Sequence, residues 1–171
     1  MLFIVGLSRV FFDIEGAFDN TPLTAVSKAL ADWKVPKVVR SWIAAMLTQR
    51  IIRVVVGSTI INVITFCGLP QGGGLSPILW SLVADSLLRW LSKQGVYAQG
   101  IQGYADDGCV LICGFILSTI CEIMQRILRG VETWCSARDL WVNPTKTEMI
   151  LFTRRYKPEA VRTTLCLKKT S

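Results

Sequence analysis

Residues 103–112, GYADDGCVLI, put two acids, Asp106 and Asp107, at the head of an apolar run with the composition of a buried strand. A carboxylate taken out of water is costly unless something pairs with it, so the pair calls for a bend in the chain and for a partner. Adjacent strand residues point to opposite faces, so both acids can serve one place only where the chain turns. Gly103 and Gly108 permit that turn, and the stretch reads as a hairpin tip. An Asp-Asp pair alone is usually a solvated turn; what matters is whether another acid is aimed at it. Asp13 is the candidate, because in VFFDIEGAFDN (10–20) it closes an apolar, β-friendly run from Val5 to Phe12. Neighbouring strands of one sheet would bring Asp13 and Asp106 to the same edge. Close carboxylates from separate strands repel unless a divalent cation neutralises them, and Mg2+ bound by carboxylates and substrate phosphates is the usual solution.

Outward from these strands the periodicity is mostly helical. Thr21 as N-cap and Pro22 at the first position open an amphipathic helix with Leu23, Val26, Leu30 and Trp33 on one side. Pro36 opens a second, with Val39, Trp42, Ile43 and Met46 on one side. The β-branched stretch RIIRVVVGSTIINVITF (50–66) predicts a hairpin turning at Gly57 and Ser58. Ser76 and Pro77 start a third helix that runs to Gly95, and Thr119 with Glu122 forms a capping box for a fourth. TKTEMILF (145–152) reads as a closing strand, followed by a basic tail. Strands interleaved with long helices give an α+β fold, a sheet backed by helices.

The 171 residues make about one domain, and a 51% hydrophobic content is ample for a packed core. The net charge of +7 without any histidine is permanent near neutral pH and suits a polyanionic partner such as nucleic acid. Six cysteines without a CxxC, and no histidine, exclude the usual zinc pairings and suggest buried thiols in a reducing, intracellular compartment. No charge lies between Arg53 and Asp85, but GLPQGGGLSP (68–77) interrupts that run, so it is read as core and not as a membrane span. Leu2 to Leu7 lacks the basic flank and cleavage site of a signal peptide and is assigned to the first strand. The glycines of GLPQGGGLSP precede a helix, where backbone N–H groups favour negative charge; alone, such a turn is an ordinary connector.

Four segments in order, FFDIEGAFDN (11–20), GLPQGGGLSPILW (68–80), GYADD (103–107) and NPTKTEMILF (143–152), resemble the successive palm motifs of reverse transcriptases, most closely those of non-LTR retrotransposons of the jockey type. The resemblance implies a polymerase palm-type antiparallel sheet backed by helices over residues 1–153, with 154–171 as a basic tail or the start of a thumb connection. It implies Asp13 and Asp106 as main metal ligands, Asp107 beside them, and Ile14 among the metal and nucleotide positions. Gly16 and Ala17 would offer backbone N–H groups to the triphosphate, Phe18 would exclude a ribose 2′-hydroxyl, and Gln71 and Gly72 would line the nucleotide pocket. Lys146 would protonate the leaving pyrophosphate, and Tyr104 would lie on the primer side. Phe18 and Tyr104 read equally as packed aromatics, Lys146 as a surface charge, and Asp19 as a cap or salt bridge.

Implied with these are two Mg2+ ions, for which Mn2+ can substitute, an RNA template, a DNA primer and deoxynucleoside triphosphates. No membrane partner is implied. The expected setting is the nucleus or a cytoplasmic ribonucleoprotein. Fingers upstream of Asp13 and a thumb downstream are expected to be largely missing, which predicts little processive synthesis by residues 1–171. The alternatives are a catalytically silent nucleic-acid-binding remnant and a group II intron-type reverse transcriptase.

Overall fold

The computed structural model describes residues 6–48, 50–94 and 98–153. Val5, Gly95 and the tail at 154–171, all named above, lie outside the described residues. The chain forms two compact units, Met1–Glu15 with Leu87–Ser171, and Gly16–Ser86.

The first unit contains a four-stranded antiparallel sheet. Its strands are β1 (Gly6–Asp13), β4 (Ala98–Tyr104), β5 (Asp107–Gly114) and β6 (Glu148–Thr153), in the spatial order β4-β5-β1-β6. In β1 the period of two sends Ser8, Val10 and Phe12 to the buried face and leaves Arg9 and Phe11 on the open one. β5 buries Val110 and Ile112 in the same way. Helix α5 (Leu117–Ser136) packs on β5 and β1 with a stripe that includes Ile120, Met124, Ile127, Leu128 and Val131. The apolar positions therefore recur at helical spacing on one side. Gly130 lets the indole of Trp90 lie against this helix, since a Cβ there would stand 2.1 Å from the ring.

The second unit carries the short α1 (Ala17–Asn20), α2 (Leu23–Asp32), α3 (Lys37–Leu47), the hairpin β2 (Arg50–Val56) and β3 (Thr59–Thr65), and the first part of α4 (Ser76–Ser92). α2 and α3 pack together through a core that includes Val26, Leu30, Ile43 and Leu47. The hairpin turns at Gly57 and Ser58, where Gly57 takes φ 61, as a two-residue connection between strands requires.

Several expectations are corrected. Thr21 does not cap α2: its hydroxyl donates to the Ala17 carbonyl, and Pro22 holds the N-cap position. α5 starts at Leu117 after Ile116, so Thr119 and Glu122 lie inside the helix and form no capping box. The helical ladder already starts there, with the Ile120 amide donating to the Ile116 carbonyl at 3.1 Å. On α3, Val39 and Trp42 are exposed although Ile43 is buried. The uncharged run read as core is divided. Leu79, Trp80 and Val83 are buried, but Val54, Val55, Val56, Ile60, Ile61, Val63 and Ile64 of the hairpin are all exposed.

Candidate active site

The β4–β5 hairpin turns at Ala105 and Asp106, between the paired Tyr104 and Asp107. The residue in the left-handed region is Ala105, with φ 52. Gly103 and Gly108, expected to make the bend, instead face each other within the ladder. Gly108 is needed for another reason: a Cβ on it would stand 2.2 Å from Cζ of Phe12, whose ring covers that position.

The register of β1 against β5 puts Asp13 directly opposite Asp107, and Asp107 opposite Tyr104. Directly opposed residues of antiparallel strands project from the same face. Asp13, Asp107 and Tyr104 therefore form one row across three strands. Asp106 sits half-buried on the turn, and its carbonyl accepts from the Ile14 amide at 3.0 Å. That bond extends the contact one residue past β1.

A second segment closes on Asp13 from the other side. The Asn143 amide donates to the Asp13 carbonyl at 2.8 Å, and the Glu15 amide to Trp141 at 2.9 Å, around the isolated bridge Ile14–Val142. Asn143 then folds the chain back. Its Oδ1 accepts from the Thr145 amide at 3.0 Å and from the Thr145 hydroxyl at 2.7 Å, a local side-chain turn. The Thr147 hydroxyl donates to the Asn143 carbonyl at 2.8 Å. This turn delivers Lys146, whose Nζ donates to Asp13 Oδ1 at 3.2 Å. The Asp13 side chain is 8% exposed and that of Lys146 63%. The pairing offsets the burial of Asp13, while the exposed ammonium keeps most of its hydration.

A cavity of about 560 Å3 adjoins this row, lined in part by Tyr104, Asp107, Lys146, Phe11 and Cys109. Tyr104 is 84% exposed. Burial pushes the Cys109 thiol up, against the opposing pull of Arg9, and the Arg9 guanidinium lies 6.0 Å from the centre of the Phe11 ring.

Among the described residues no group of three or more His, Cys, Asp and Glu side chains is gathered closely enough to hold a metal by itself. The donors nevertheless suit Mg2+, a hard cation that keeps several waters and needs only one or two carboxylates beside substrate phosphates. Asp13 and Asp107, facing each other in register, supply two.

In the second unit, Gly16 takes φ 56 at the start of α1, where a Cβ would stand 2.4 Å from the Asn20 amide. Ala17 is buried. The half-buried Phe18 ring lies 6.0 Å from that of Trp80, tilted by 41°. The loop bearing Gln71 is seated on α1: the Leu69 amide donates to the Phe18 carbonyl at 2.5 Å and the Gly68 amide to Thr21 at 2.8 Å. Gly72, at φ 82, is exposed. Asp19, expected to cap or to form a salt bridge, instead accepts from Gln71 Nε2 on both carboxylate oxygens, at 3.0 Å each. Neither AFDN nor LPQG points to that bond separately, because its partners stand 52 positions apart in the chain.

The expected site residues thus form two groups, each gathered within its own unit. Asp13, Ile14, Tyr104, Asp106, Asp107 and Lys146 belong to the first, and Gly16, Ala17, Phe18, Gln71 and Gly72 to the second. No helix among the described residues is long and apolar enough to cross a membrane.

Comparison with known proteins points one way. The sequence profile described as "Reverse transcriptase (RNA-dependent DNA polymerase)" matches residues 8–166. A 115 kDa protein in the type-1 retrotransposable element R1DM of Drosophila melanogaster is 30% identical over 142 residues, which cover 82% of this chain and 13% of that protein. The retrovirus-related Pol polyprotein from the type-1 retrotransposable element R1 of Bradysia coprophila is 29% identical over 152 residues, 88% of this chain and 14% of that one. The chain therefore spans about a seventh of the length of these relatives. Among solved structures, apo telomerase from Candida tropicalis, truncated from its C-terminal domain, superposes with a TM-score of 0.60 at 15% identity. That match covers 90% of this chain and 32% of the other. Telomerase from the same organism with a TWJ fragment of telomeric RNA gives a TM-score of 0.59 at 13% identity, over 86% of this chain and 26% of the other. At such identities the likeness speaks for the fold alone.

Proposed function

Because the chain belongs to the reverse transcriptase (RNA-dependent DNA polymerase) family, we propose that its two residue groups carry RNA-directed DNA synthesis for a non-LTR retrotransposable element. The observation that carries the reading is the register of Asp13 against Asp107, with Lys146 held on Asp13. It joins two acids and one cation at the end of a sheet, in a family whose members use divalent metals.

In this reading Asp13 and Asp107, with Asp106 on the turn and Ile14 beside it, hold the metal ions. Two bound Mg2+ ions, or Mn2+ in their place, would lower the pKa of the primer 3′-hydroxyl and neutralise the charge that develops on the leaving pyrophosphate. Lys146 moves a proton from Nζ to the leaving group, and its exposed stem gives it reach. Tyr104, beyond Asp107 in the same row, packs on the primer-terminal sugar. Gly16 and Ala17 present backbone N–H groups to the triphosphate, and Gln71 and Gly72 line the nucleotide pocket. Phe18, braced on Trp80, excludes a 2′-hydroxyl. Rate enhancement comes from positioning and charge stabilisation without a covalent intermediate.

The partners are an RNA template, a DNA primer and deoxynucleoside triphosphates; the net charge of +7 supplies salt-dependent affinity for the nucleic acids. The setting is the nucleus or a cytoplasmic ribonucleoprotein. The test is single-nucleotide extension of a DNA primer on an RNA template with Mg2+. Incorporation by this chain, lost in Asp107→Asn and Asp106→Asn, supports the reading. Incorporation that both substitutions leave unaltered overturns it.

A further inference from the structure

We propose that Asp19 is a positioning residue for nucleotide recognition: its carboxylate fixes the Gln71 side-chain amide so that Gln71 offers an acceptor oxygen to a donor group of the incoming nucleotide. This deepens the polymerase reading of the site and rests on it.

The chemistry of the pair decides the orientation of the amide. An ionised carboxylate only accepts, so the end of Gln71 that meets it is the NH2 group. Nε2 lies 3.0 Å from both Asp19 oxygens. The flipped amide would set Oε1 against a negative charge. Oε1 is thus left as the end that accepts from a substrate.

The backbone around the pair is built for this contact. The amides of Gly68 and Leu69 bond to the carbonyls of Thr21 and Phe18. Gly68 adopts φ 82, and a Cβ there would stand 2.4 Å from the Asp19 carbonyl oxygen, so the loop reaches α1 only because that residue is glycine. Arg50 Nη2 donates to the carbonyls of Cys67 and Gly68 at 2.6 and 2.8 Å. These ties fix the main chains of Asp19 and Gln71 relative to each other before the side chains meet. Both side chains are exposed, so burial creates no demand for the bond; what it adds is orientation. Phe18 adjoins Asp19 in sequence, so the aromatic that screens the sugar and the amide that reads the nucleotide share one local frame.

The test compares the chain with Asp19→Ala, Gln71→Ala, the double variant and Asp19→Asn in single-nucleotide incorporation on an RNA template. If Asp19 acts through Gln71, Asp19→Ala raises KM for the deoxynucleotide about fivefold with kcat within about twofold, a loss of binding geometry and not of chemistry. The double variant is then no worse than Gln71→Ala, and Asp19→Asn, which keeps an acceptor, recovers most of the affinity. In 15N-labelled protein the Gln71 NH2 signals shift in Asp19→Ala. Unmoved signals, an unchanged KM, or KM losses that multiply in the double variant overturn the proposal while the polymerase reading stands. No incorporation by the unsubstituted chain overturns both.

Discussion

Asp13 and Asp107 stand directly across from each other in the antiparallel ladder of β1 and β5. Backbone hydrogen bonds hold these two carboxylates on one face, and Lys146 pairs with Asp13. Like charges directly opposite destabilise a sheet, so the pair is better explained by a cation it serves than by the fold it weakens.

Replacing Asp13 by Asn therefore separates stability from chemistry. Lys146 is mostly exposed, so losing the ion pair changes the unfolding free energy by no more than about 1 kcal/mol. Nucleotide incorporation falls by at least about a hundredfold if Asp13 holds metal as proposed. Urea unfolding beside incorporation assays reads both. A loss of activity matched by a loss of folded protein would refute the assignment.

Gly108→Ala drives a methyl group into the Phe12 ring. The expected destabilisation is about 1–3 kcal/mol, the usual cost of overpacking. Adding Phe12→Leu should recover part of it, since the smaller side chain vacates the position. A double-mutant cycle from denaturant midpoints measures the coupling, and simple additivity would show that the ring and the glycine do not restrain each other.

Phe18→Ala opens the space that the resemblance assigns to sugar discrimination. Ribonucleotide use relative to deoxynucleotide use is expected to rise by at least about tenfold, the scale of a steric discrimination in a packed pocket. Stability falls by about 0.5–1.5 kcal/mol or more as the contact with Trp80 is lost. Competition assays with both nucleotide classes decide it; an unchanged ratio leaves Phe18 only its packing role.

Alkaline pH should lower the stability of the protein through Cys135. Burial pushes this thiol up to about 12, whereas an unfolded cysteine titrates near ~8.5. The unfolded state therefore binds fewer protons than the native one above ~8.5, and stability declines as pH rises from there toward the native value. Below that window the contribution is fully present. Unfolding free energies at a series of pH values, in the chain and in Cys135→Ala, show whether the substitution flattens the slope. A thiol reagent should modify the exposed Cys67 first and Cys135 only on unfolding.

The residues that could be read in advance are those whose local chemistry has one outcome. Asp13 at the end of β1, the turn at Gly57 and Ser58, and the acids at the β4–β5 tip all follow from a period of two broken by turn residues. What escaped depends on tertiary context. Thr119 and Glu122 match a capping box, yet α5 starts two residues before Thr119, at Leu117, and absorbs them. Gly108 has the chemistry of a hinge, while its use is the space it leaves for Phe12. The strained position at the tip falls on Ala105, which no turn propensity selects. The Gln71–Asp19 bond needs the loop and α1 folded together before either residue has a meaning.

The β2–β3 ribbon has consequences for handling the molecule. Among the described residues both of its strands are edges of a two-stranded sheet, and its charged side chains are Arg50 and Arg53 of β2. Exposed, β-branched edges of this kind are templates on which another molecule can add a strand. A lysine placed on β3 is the direct way to blunt such an edge.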